Sequence, residues 1–380
     1  MHYIKLLRPP VVERVRSEQI LKIVLAITTD LGDSYLSPKE AIDLLVIGAY
    51  TAQKDGQDQL VPVNLTQRSV PKWRTGMRVL KIDLPLPPHP ITTIQVRPLN
   101  RQLTALGTTD IYPPTGQGLI MAAFSDIGQT SPVCFRSLRL PTPDNQTFQV
   151  EEDMGDSIAR HIWDSGIATT SLIADMLLTS SNNDNTPMQS FRSLLQSRTP
   201  LKILEIGCGI GTLGIAMARI LGHQASNLPT PQILMTDLPE AEERARANIA
   251  RQPDTAIPSS LDFESLDWEQ GKLGIFREKV QSQKWDLVIV SDCTYNTDTL
   301  LSLVQTLSAV HRHSSSSEEK EGGKKGPKIF LATKSRHSSE RQFFDLMVGD
   351  GWTIEEEAEV DLPHIDGGGM PIEVYLFEKT

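Results

Sequence analysis

The chain has 380 residues, of which 22% are charged and 39% hydrophobic, and it carries a formal net charge of −10. This composition is typical of a soluble globular protein, and the length suffices for two domains or for one domain with a large extension. The negative charge argues against broad binding to a nucleic acid backbone, which requires clustered Lys and Arg. A basic or neutral protein partner is more compatible with it.

Cysteine usage indicates a reducing compartment, and hydropathy predicts no membrane span. The three cysteines, Cys134, Cys208 and Cys293, are widely spaced and odd in number, so they predict neither a disulfide framework nor a zinc or other metal site. We find no apolar stretch of about eighteen residues that predicts a membrane span, and the first ten residues lack the apolar core of a signal peptide. We therefore expect a protein of the cytoplasm, the nucleus or both, while the oligomeric state stays open.

The first third of the chain has patterns with more than one interpretation. Residues 17–26 are apolar after a basic start and fit a strand or a short helix. Residues 37–45 carry a serine cap followed by Pro38, which favours a helix start, but residues 44–50 fit an extended strand equally well. The sequence leaves both alternatives open.

Residues 77–150 have the pattern of a β-rich region. Short apolar runs at 77–84, 91–96, 118–124 and 133–140 alternate with proline clusters. Periodic short strands with turn residues between them predict a small β-rich accessory region, which we place at residues 1–145.

From residue 146 onward, strands and helices alternate. After predicted helices at 168–178 and 188–197, with a polar loop at 180–186 between them, the predicted strands are 202–206, 233–237, 261–266, 286–291, 328–333, 353–360 and 373–378. Such alternation predicts a parallel sheet with helices on both faces, and the last two strands predict an antiparallel hairpin. Residues 313–327 have almost no apolar side chain to bury and predict a disordered loop.

The most informative segment runs from Ile203 to Gly214, where an apolar strand enters a glycine-rich turn and then a helix. Gly207, Gly209 and Gly211 permit positive φ angles and a close approach of the backbone to a ligand. The free N–H groups of the helix start face the same ligand. An ordinary tight turn is the alternative for this segment taken alone.

Acidic residues close two further predicted strands. Asp237 ends the second strand at roughly the separation at which a βα unit places a carboxylate on a ribose. Asp292 follows the fourth strand, directly after Ser291. The carboxyl ends of these strands therefore predict a single ligand-binding crevice.

The order of the glycines discriminates between cofactors. A dinucleotide site has the spacing G-x-G-x-x-G with a diphosphate at the helix start, whereas this chain has Glu205 two residues before the first glycine of G-C-G-I-G. An acid there repels a diphosphate and suits a cationic ligand. The E-x-G-x-G-x-G pattern resembles the first motif of class I S-adenosylmethionine-dependent methyltransferases.

Three more motifs narrow the resemblance to methyltransferase family 16, known for nicotinamide N-methyltransferase-like proteins and protein-lysine methylation. Asp292 to Tyr295 resembles the family's D-x-x-Y motif, residues 162–166 resemble its tryptophan motif, and Leu266-Asp267-Trp268 resembles its adenine-flanking tryptophan. The resemblance covers residues 148–380. It implies an α/β, Rossmann-like seven-stranded sheet with a C-terminal antiparallel hairpin, and a methyltransferase domain over residues 146–380.

The resemblance also implies the cofactor, S-adenosyl-L-methionine, which leaves as S-adenosyl-L-homocysteine, and a set of site residues. Backbone contacts to its methionine part are implied for three residues of the turn, Asp237 is expected on the ribose hydroxyls, and Trp163 is expected to close over the cofactor near Ser291. The implied cofactor-binding residues are Trp163, Glu205, Gly207, Cys208, Gly209, Asp237, Asp267, Trp268 and Ser291.

Two of these assignments have structural alternatives. Asp237 can instead cap the helix at 239–251, and Trp268 can be an ordinary core residue at a strand end. We interpret Cys208 and Cys293 as small buried side chains that fill space in the core rather than as reactive thiols.

The catalytic residues implied by the resemblance are Asp292 and Tyr295. Asp292 is expected to accept a hydrogen bond from the incoming amine, and Tyr295 to line the channel with its hydroxyl; the alternative for Asp292 is a cap for a helix near 296–298. A lysine amine, with a reference pKa near 10.4, must lose its proton before it attacks.

We predict a protein-lysine N-methyltransferase whose accessory region helps to select the protein substrate. Small-molecule methylation, as in nicotinamide N-methylation, is the alternative of the same enzyme class. A catalytically idle binding module is a third hypothesis, against which the joint presence of these site residues argues. A dinucleotide oxidoreductase, the fourth, is disfavoured by the glycine spacing.

Overall fold

The chain forms two compact units, and each unit consists of three segments that are separated in sequence. A computed structural model describes residues 1–54, 57–114, 118–129, 131–155, 158–179, 187–197, 199–224, 230–252, 261–315, 326–365 and 369–379. The first unit comprises Met1–Arg139, Gln149–His161 and Pro363–Gly369; the second comprises Leu140–Phe148, Ile162–Leu362 and Met370–Thr380. The domain boundary between residues 145 and 146 stays a prediction.

The strands of the N-terminal part confirm the expected β-rich character. They are β1 (His2–Leu6), β2 (Val11–Val15), β3 (Glu18–Thr28), β4 (Ile42–Lys54), β5 (Gln57–Asn64), β6 (Lys72–Trp73), β7 (Leu80–Pro85), β8 (Thr93–Pro98), β9 (Thr104–Ala105), β10 (Ile120–Met121), β11 (Ala123–Asp126), β12 (Val133–Arg139) and β13 (Thr147–Asp153), with one short helix, α1 (Thr108–Ile111).

These strands form two sheets. The first has the order β2-β3-β1-β10-β9, with β7 also paired to β3, and the second has the order β13-β12-β11-β8-β4-β5, with β6 also paired to β4. Buried residues such as Ile23, Leu44, Trp73 and Val96 form the core of the first unit.

Two ambiguous segments near the start are strands. Apart from Ser17, the first segment, residues 17–26, lies within β3, and β4 starts at Ile42, so the helix alternative for residues 37–45 is wrong. Pairing of β4 with β5 on one side and β8 on the other outweighs the local cap signal of Ser37 and Pro38. The run 118–124 divides into β10 and β11, which belong to different sheets.

The second unit contains the predicted alternation of strands and helices. Its elements are α2 (Asp164–Leu178), α3 (Gln189–Leu195), β14 (Lys202–Ile206), α4 (Thr212–Gln224), β15 (Gln232–Asp237), α5 (Pro239–Arg251), β16 (Leu261–Ser265), α6 (Trp268–Gly271), α7 (Glu278–Gln281), β17 (Leu287–Ser291), α8 (Leu300–Ser314), β18 (Lys328–Thr333), α9 (Gln342–Gly349), β19 (Trp352–Val360) and β20 (Ile372–Lys379).

The seven strands form one sheet in the order β16-β15-β14-β17-β18-β20-β19. The first five are parallel to their neighbours, and β20 pairs antiparallel with both β18 and β19, which confirms the fold class and the terminal hairpin. The chain order reverses between β14 and β17, and a parallel α/β sheet binds ligands at the carboxyl ends of its strands beside such a switch point.

Helix boundaries differ from prediction at two places that concern the site or the loop. Helix α2 begins at Asp164, so it contains the predicted residues 168–178 and also most of the tryptophan motif. His313 and Ser314, predicted as part of a loop, are the last residues of α8. The predicted loops at 180–186 and 316–325 lie outside the described residues. No helix among the described residues combines the length and the hydropathy needed to cross a membrane.

Candidate active site

The glycine-rich turn joins β14 to α4 in the predicted conformation. Gly207, Gly209 and Gly211 have φ angles of 73°, 54° and 83°. A Cβ atom on Gly207 would lie 2.2 Å from the Sγ atom of Cys293, so both the backbone angle and the space at this position require glycine. The turn thus brings its backbone against the end of β17, where a side chain would block the approach.

Asp237, the last residue of β15, ties this turn to the neighbouring strand. Its Oδ2 atom accepts the N–H of Gly209 at 2.7 Å, and its Oδ1 atom accepts the N–H of Leu238 at 2.7 Å. Burial raises the pKa of this carboxyl group. Helix α5 starts at Pro239 without a side-chain cap, so helix capping does not explain Asp237. A carboxylate has further lone pairs, and the ribose contact stays a prediction.

Glu205 is buried beneath the first turn of α4. It is 2% exposed, and the N–H of Gly214 donates to its carboxyl group. Burial raises the pKa of Glu205 to about 8, and the charge of Asp237 acts in the same direction. A Cβ atom on Gly214 would lie 2.4 Å from the Oε2 atom, so glycine here makes room for the carboxyl group.

Asp267 and Trp268 begin helix α6 at the end of β16. The Oδ1 atom of Asp267 caps the helix by accepting the N–H of Glu269 at 2.9 Å. The partly buried Trp268 packs on the core of the second unit, and its Cζ2 atom is 3.6 Å from the position that a Gly207 Cβ would take. The ring therefore lies beside the glycine turn, where the adenine contact was predicted; that contact stays a prediction.

Ser291 and Cys208 lie at the ends of two adjacent strands. Ser291 is the last residue of β17, and its buried Oγ atom has no hydrogen-bond partner in the described chain. Cys208 is 8% exposed and Cys293 is 5% exposed. Burial raises the pKa of both thiols, so both stay protonated at neutral pH, as small buried side chains do.

Asp292 has the most unusual backbone of the predicted residues. Its φ angle is 53°, which is rare for a residue other than glycine. Its Oδ2 atom accepts the N–H of Ser165, in the first turn of α2, at 2.9 Å. The predicted alternative, a cap near residues 296–298, is wrong because Asn296 accepts the N–H of Asp298 there.

A cation outside the predicted set of site residues pairs with Asp292. The Nη1 atom of Arg336 lies 3.1 Å from the Oδ1 atom of Asp292, and the guanidinium carbon is 5.4 Å from the centroid of the Trp163 ring. Two residues earlier, Lys334 pairs with the fully buried Asp164 at 2.7 Å. Both basic residues follow the end of β18, and that position at the carboxyl end of a parallel strand is the signal that could have identified them.

Tyr295 is the exposed member of the predicted set. It has 52% of its surface exposed, and partial burial raises the pKa of its hydroxyl, with the charge of Asp237 adding to the effect. The hydroxyl is therefore neutral at physiological pH and can donate a hydrogen bond.

All the predicted site residues lie in the second unit, at the carboxyl ends of β14 to β17 or at the starts of α2 and α6. Buried polar atoms without a partner in the described chain occur at the same places, and they are Ser165 Oγ, Glu205 Oε2, Thr212 Oγ1 and Ser291 Oγ. Buried polar atoms normally have hydrogen-bond partners. Their number here fits a polar ligand bound in this crevice.

Sequence comparisons relate the chain, in whole or in part, to known proteins. The sequence model of a family described as lysine methyltransferase matches residues 142–350, more than half of the chain. The chain is 24% identical to the UPF0665 family protein C23C4.06c of Schizosaccharomyces pombe over 382 residues, which cover 100% of this chain and 99% of that protein. It is 28% identical to EEF1A lysine methyltransferase 3 of Xenopus tropicalis over 148 residues, 38% of this chain and 53% of that protein.

Among solved structures, the chain is similar to precorrin-6y C5,15-methyltransferase of Geobacter metallireducens GS-15. The superposition covers 50% of this chain and 85% of that protein's chain. The sequence identity is 14% and the TM-score is 0.32. An overlap of this size says nothing about the substrate.

Proposed function

The chain belongs to the lysine methyltransferase family, and on that premise we propose that it methylates the side-chain nitrogen of a lysine in a protein substrate. It is an S-adenosylmethionine-dependent methyltransferase, and its cofactor is S-adenosyl-L-methionine. Protein lysine as the acceptor is the proposed part. It is supported by the family and by the similarity to EEF1A lysine methyltransferase 3.

The residues of the crevice fit this cofactor. When bound, it supplies a methyl group activated by a sulfonium, together with an amino acid part and a ribose but no phosphate. The buried Oε2 atom of Glu205 has no partner in the described chain and suits the ammonium group of the cofactor. The glycines of the turn beside it leave room for a ligand against the backbone. Asp237 retains lone pairs for ribose hydroxyls, and Trp268 presents a flat apolar surface beside the turn. These residues would hold the cofactor.

One observation carries the proposal for the acceptor. Asp292 follows β17 directly, and two donors on different elements fix its carboxylate, namely the Ser165 N–H and Arg336. A carboxylate whose orientation is fixed in this way can direct one of its remaining lone pairs at an incoming amine.

The remaining chemistry concerns the proton of the acceptor. A lysine ammonium has no lone pair for attack until it is deprotonated, and desolvation in the crevice disfavours its charged form. Asp292 then accepts a hydrogen bond from the neutral amine and orients it. The neutral Tyr295 hydroxyl, at the exposed margin, provides a second polar contact for the acceptor side chain.

The test is to incubate a cell extract with the purified chain and tritium-labelled S-adenosyl-L-methionine, and to separate macromolecules from small molecules. We expect protein-bound label that is recovered as methyllysine after acid hydrolysis. Asp292→Asn serves as the inactive control. Label that appears only in small molecules would replace protein lysine by a small-molecule acceptor, the alternative of the same enzyme class.

We further propose that the protein acts in the cytoplasm or the nucleus. Its three cysteines are buried and free, which suits a reducing compartment. Fractionation of cells that express the tagged chain would test this, and recovery from a secreted or membrane fraction would contradict it.

A further inference from the structure

The loop that follows β18 makes two ion pairs with the site. Lys334 pairs with Asp164, the first residue of α2, and their side chains are 11% and 0% exposed. Arg336 pairs with Asp292, and these side chains are 18% and 4% exposed. One short loop thus contacts both the helix start with the tryptophan motif and the carboxylate after β17.

Arg336 connects two segments that have different expected tasks. Its guanidinium lies 5.4 Å from the centroid of the Trp163 ring, which is expected to cover the cofactor, and it binds Asp292, which is expected to orient the acceptor. The N–H of Ser165 also binds Asp292, so the three segments form a closed set of contacts. A planar guanidinium can stack on an aromatic ring and bind a carboxylate at once, which a lysine ammonium does less well.

We infer that Arg336 is a positioning residue that holds Trp163 and Asp292 in one arrangement, so that cofactor and acceptor are aligned together. The part of this inference that concerns Asp292 rests on the proposed function. The part that concerns Trp163 rests only on binding of the cofactor. Arg336 itself is not a catalytic residue.

The chain offers a matched control for this role. Arg341 also pairs with a carboxylate, Glu373, and its guanidinium carbon lies 5.4 Å from the ring centroid of Phe344. Its side chain is 52% exposed, and neither partner belongs to the site. Substitutions at Arg341 therefore remove the same two kinds of contact without affecting the crevice.

The first measurement is the affinity for S-adenosyl-L-homocysteine, determined by calorimetry on the full chain. A cation–π contact is worth about 0.5–2 kcal/mol, so we expect Arg336→Met to weaken binding roughly tenfold and Arg336→Lys by a smaller factor. Arg341→Met and Arg341→Lys should bind like wild type. Thermal unfolding without ligand verifies that each variant is folded, and Arg336→Lys, which keeps the charge, carries the test if Arg336→Met does not fold.

The second measurement is the rate of protein labelling in extract at saturating tritiated S-adenosyl-L-methionine. Misplacement of a reacting group by about 1 Å can cost about 100-fold in rate, so we expect a loss of that order for Arg336→Met and an intermediate rate for Arg336→Lys. A purely structural role would lower the melting temperature but leave the affinity and the rate per folded molecule unchanged.

Wild-type affinity and wild-type rate in the folded Arg336 variants would overturn the inference while the proposed function stands. If the wild-type chain labels no protein, the proposed function fails. The affinity series still decides whether Arg336 positions Trp163, because it needs no acceptor.

Discussion

Each unit of the molecule contains an arginine–carboxylate pair that is mostly or fully buried, and the two pairs differ in what surrounds them. In the first unit, Arg136 and Glu152 have side chains that are 1% and 3% exposed. In the second, Arg336 and Asp292 have side chains that are 18% and 4% exposed, at the carboxyl end of the parallel sheet. The same type of ion pair is enclosed by protein in the first unit and borders the predicted crevice in the second.

The Arg136 pair is surrounded by protein groups. Arg136 donates to Glu152 at 2.7 Å and to the carbonyl of Ala122 at 2.9 Å, and it lies 5.7 Å from the centroid of the Tyr3 ring. The thiol of Cys134 donates to the same carboxylate, and burial raises its pKa. We interpret this pair as a link between strands of the sheet. Burial alone therefore does not distinguish the two pairs, whereas only the Arg336 pair lies at the strand ends where we predict the site.

The largest expected effect is on the pair at the crevice. Asp292→Asn should lower protein labelling by about 100-fold or more, because the amine loses the carboxylate that orients it and misplacement by about 1 Å can cost about 100-fold in rate. Binding of S-adenosyl-L-homocysteine should stay close to wild type, since asparagine still offers an oxygen to Ser165 or Arg336. Initial rates of labelling and calorimetry on the same preparation measure the two quantities. Full turnover in the variant would remove Asp292 from the mechanism.

The enclosed pair should show the opposite behaviour. Arg136→Met leaves Glu152 buried without its cation, and loss of one partner of a buried pair costs about 3–5 kcal/mol of unfolding free energy. We expect a lower midpoint in urea unfolding, with unchanged affinity for S-adenosyl-L-homocysteine in the folded protein. A variant with wild-type stability but weakened ligand binding would reverse the comparison.

The sequence was sufficient for the sheet of the second unit because its central strands β14, β15 and β17 are mostly apolar runs with a glycine or an acid at the end. Residues 202–206 and 328–333 were predicted without error, and the other strands differ by one or two residues at their ends. The first unit was harder, because pairing partners far along the chain determine its strands. β4, for example, overrides a local helix signal.

The positions of the candidate residues were predictable at the ends of strands, as for Asp237 and Asp292, while their roles stay predictions. Arg336 and Lys334 escaped prediction because their function depends on partners more than forty residues away in sequence, Asp292 and Asp164. The cap formed by Asp267 escaped for another reason, since α6 is a four-residue helix with no periodic pattern.

A smaller effect is expected at the boundary between turn and strand. Asp237→Ala removes acceptors for the Gly209 N–H and, by prediction, for the ribose, and hydrogen bonds to charged groups are worth about 1.5–3 kcal/mol each. We expect S-adenosyl-L-homocysteine to bind about 100-fold more weakly, as measured by calorimetry. Asp262→Ala, at the opposite end of the adjacent strand, is the control. Unchanged affinity in Asp237→Ala would exclude the ribose contact.

The smallest expected effect is on the pH dependence of the free energy of unfolding. It tests whether burial alone determines the pKa of Glu205. Its folded pKa of about 8 lies above the ordinary value of 4.5 because the carboxyl group is buried. Between these values the folded chain holds a proton that the unfolded chain has released, so the free energy of unfolding falls as pH rises, by at most about 1.4 kcal/mol per pH unit.

Glu205→Gln is neutral in both states and should lose this slope, whereas Glu240→Gln, an exposed change on α5, should keep it. Urea unfolding at pH 5.5, 6.5 and 7.5 measures the slope, and parallel curves for wild type and Glu205→Gln would mean that Glu205 is already ionised in the folded protein. In that case the Gly214 N–H would offset the effect of burial, and the carboxylate would accept the ammonium group of the cofactor without first losing a proton.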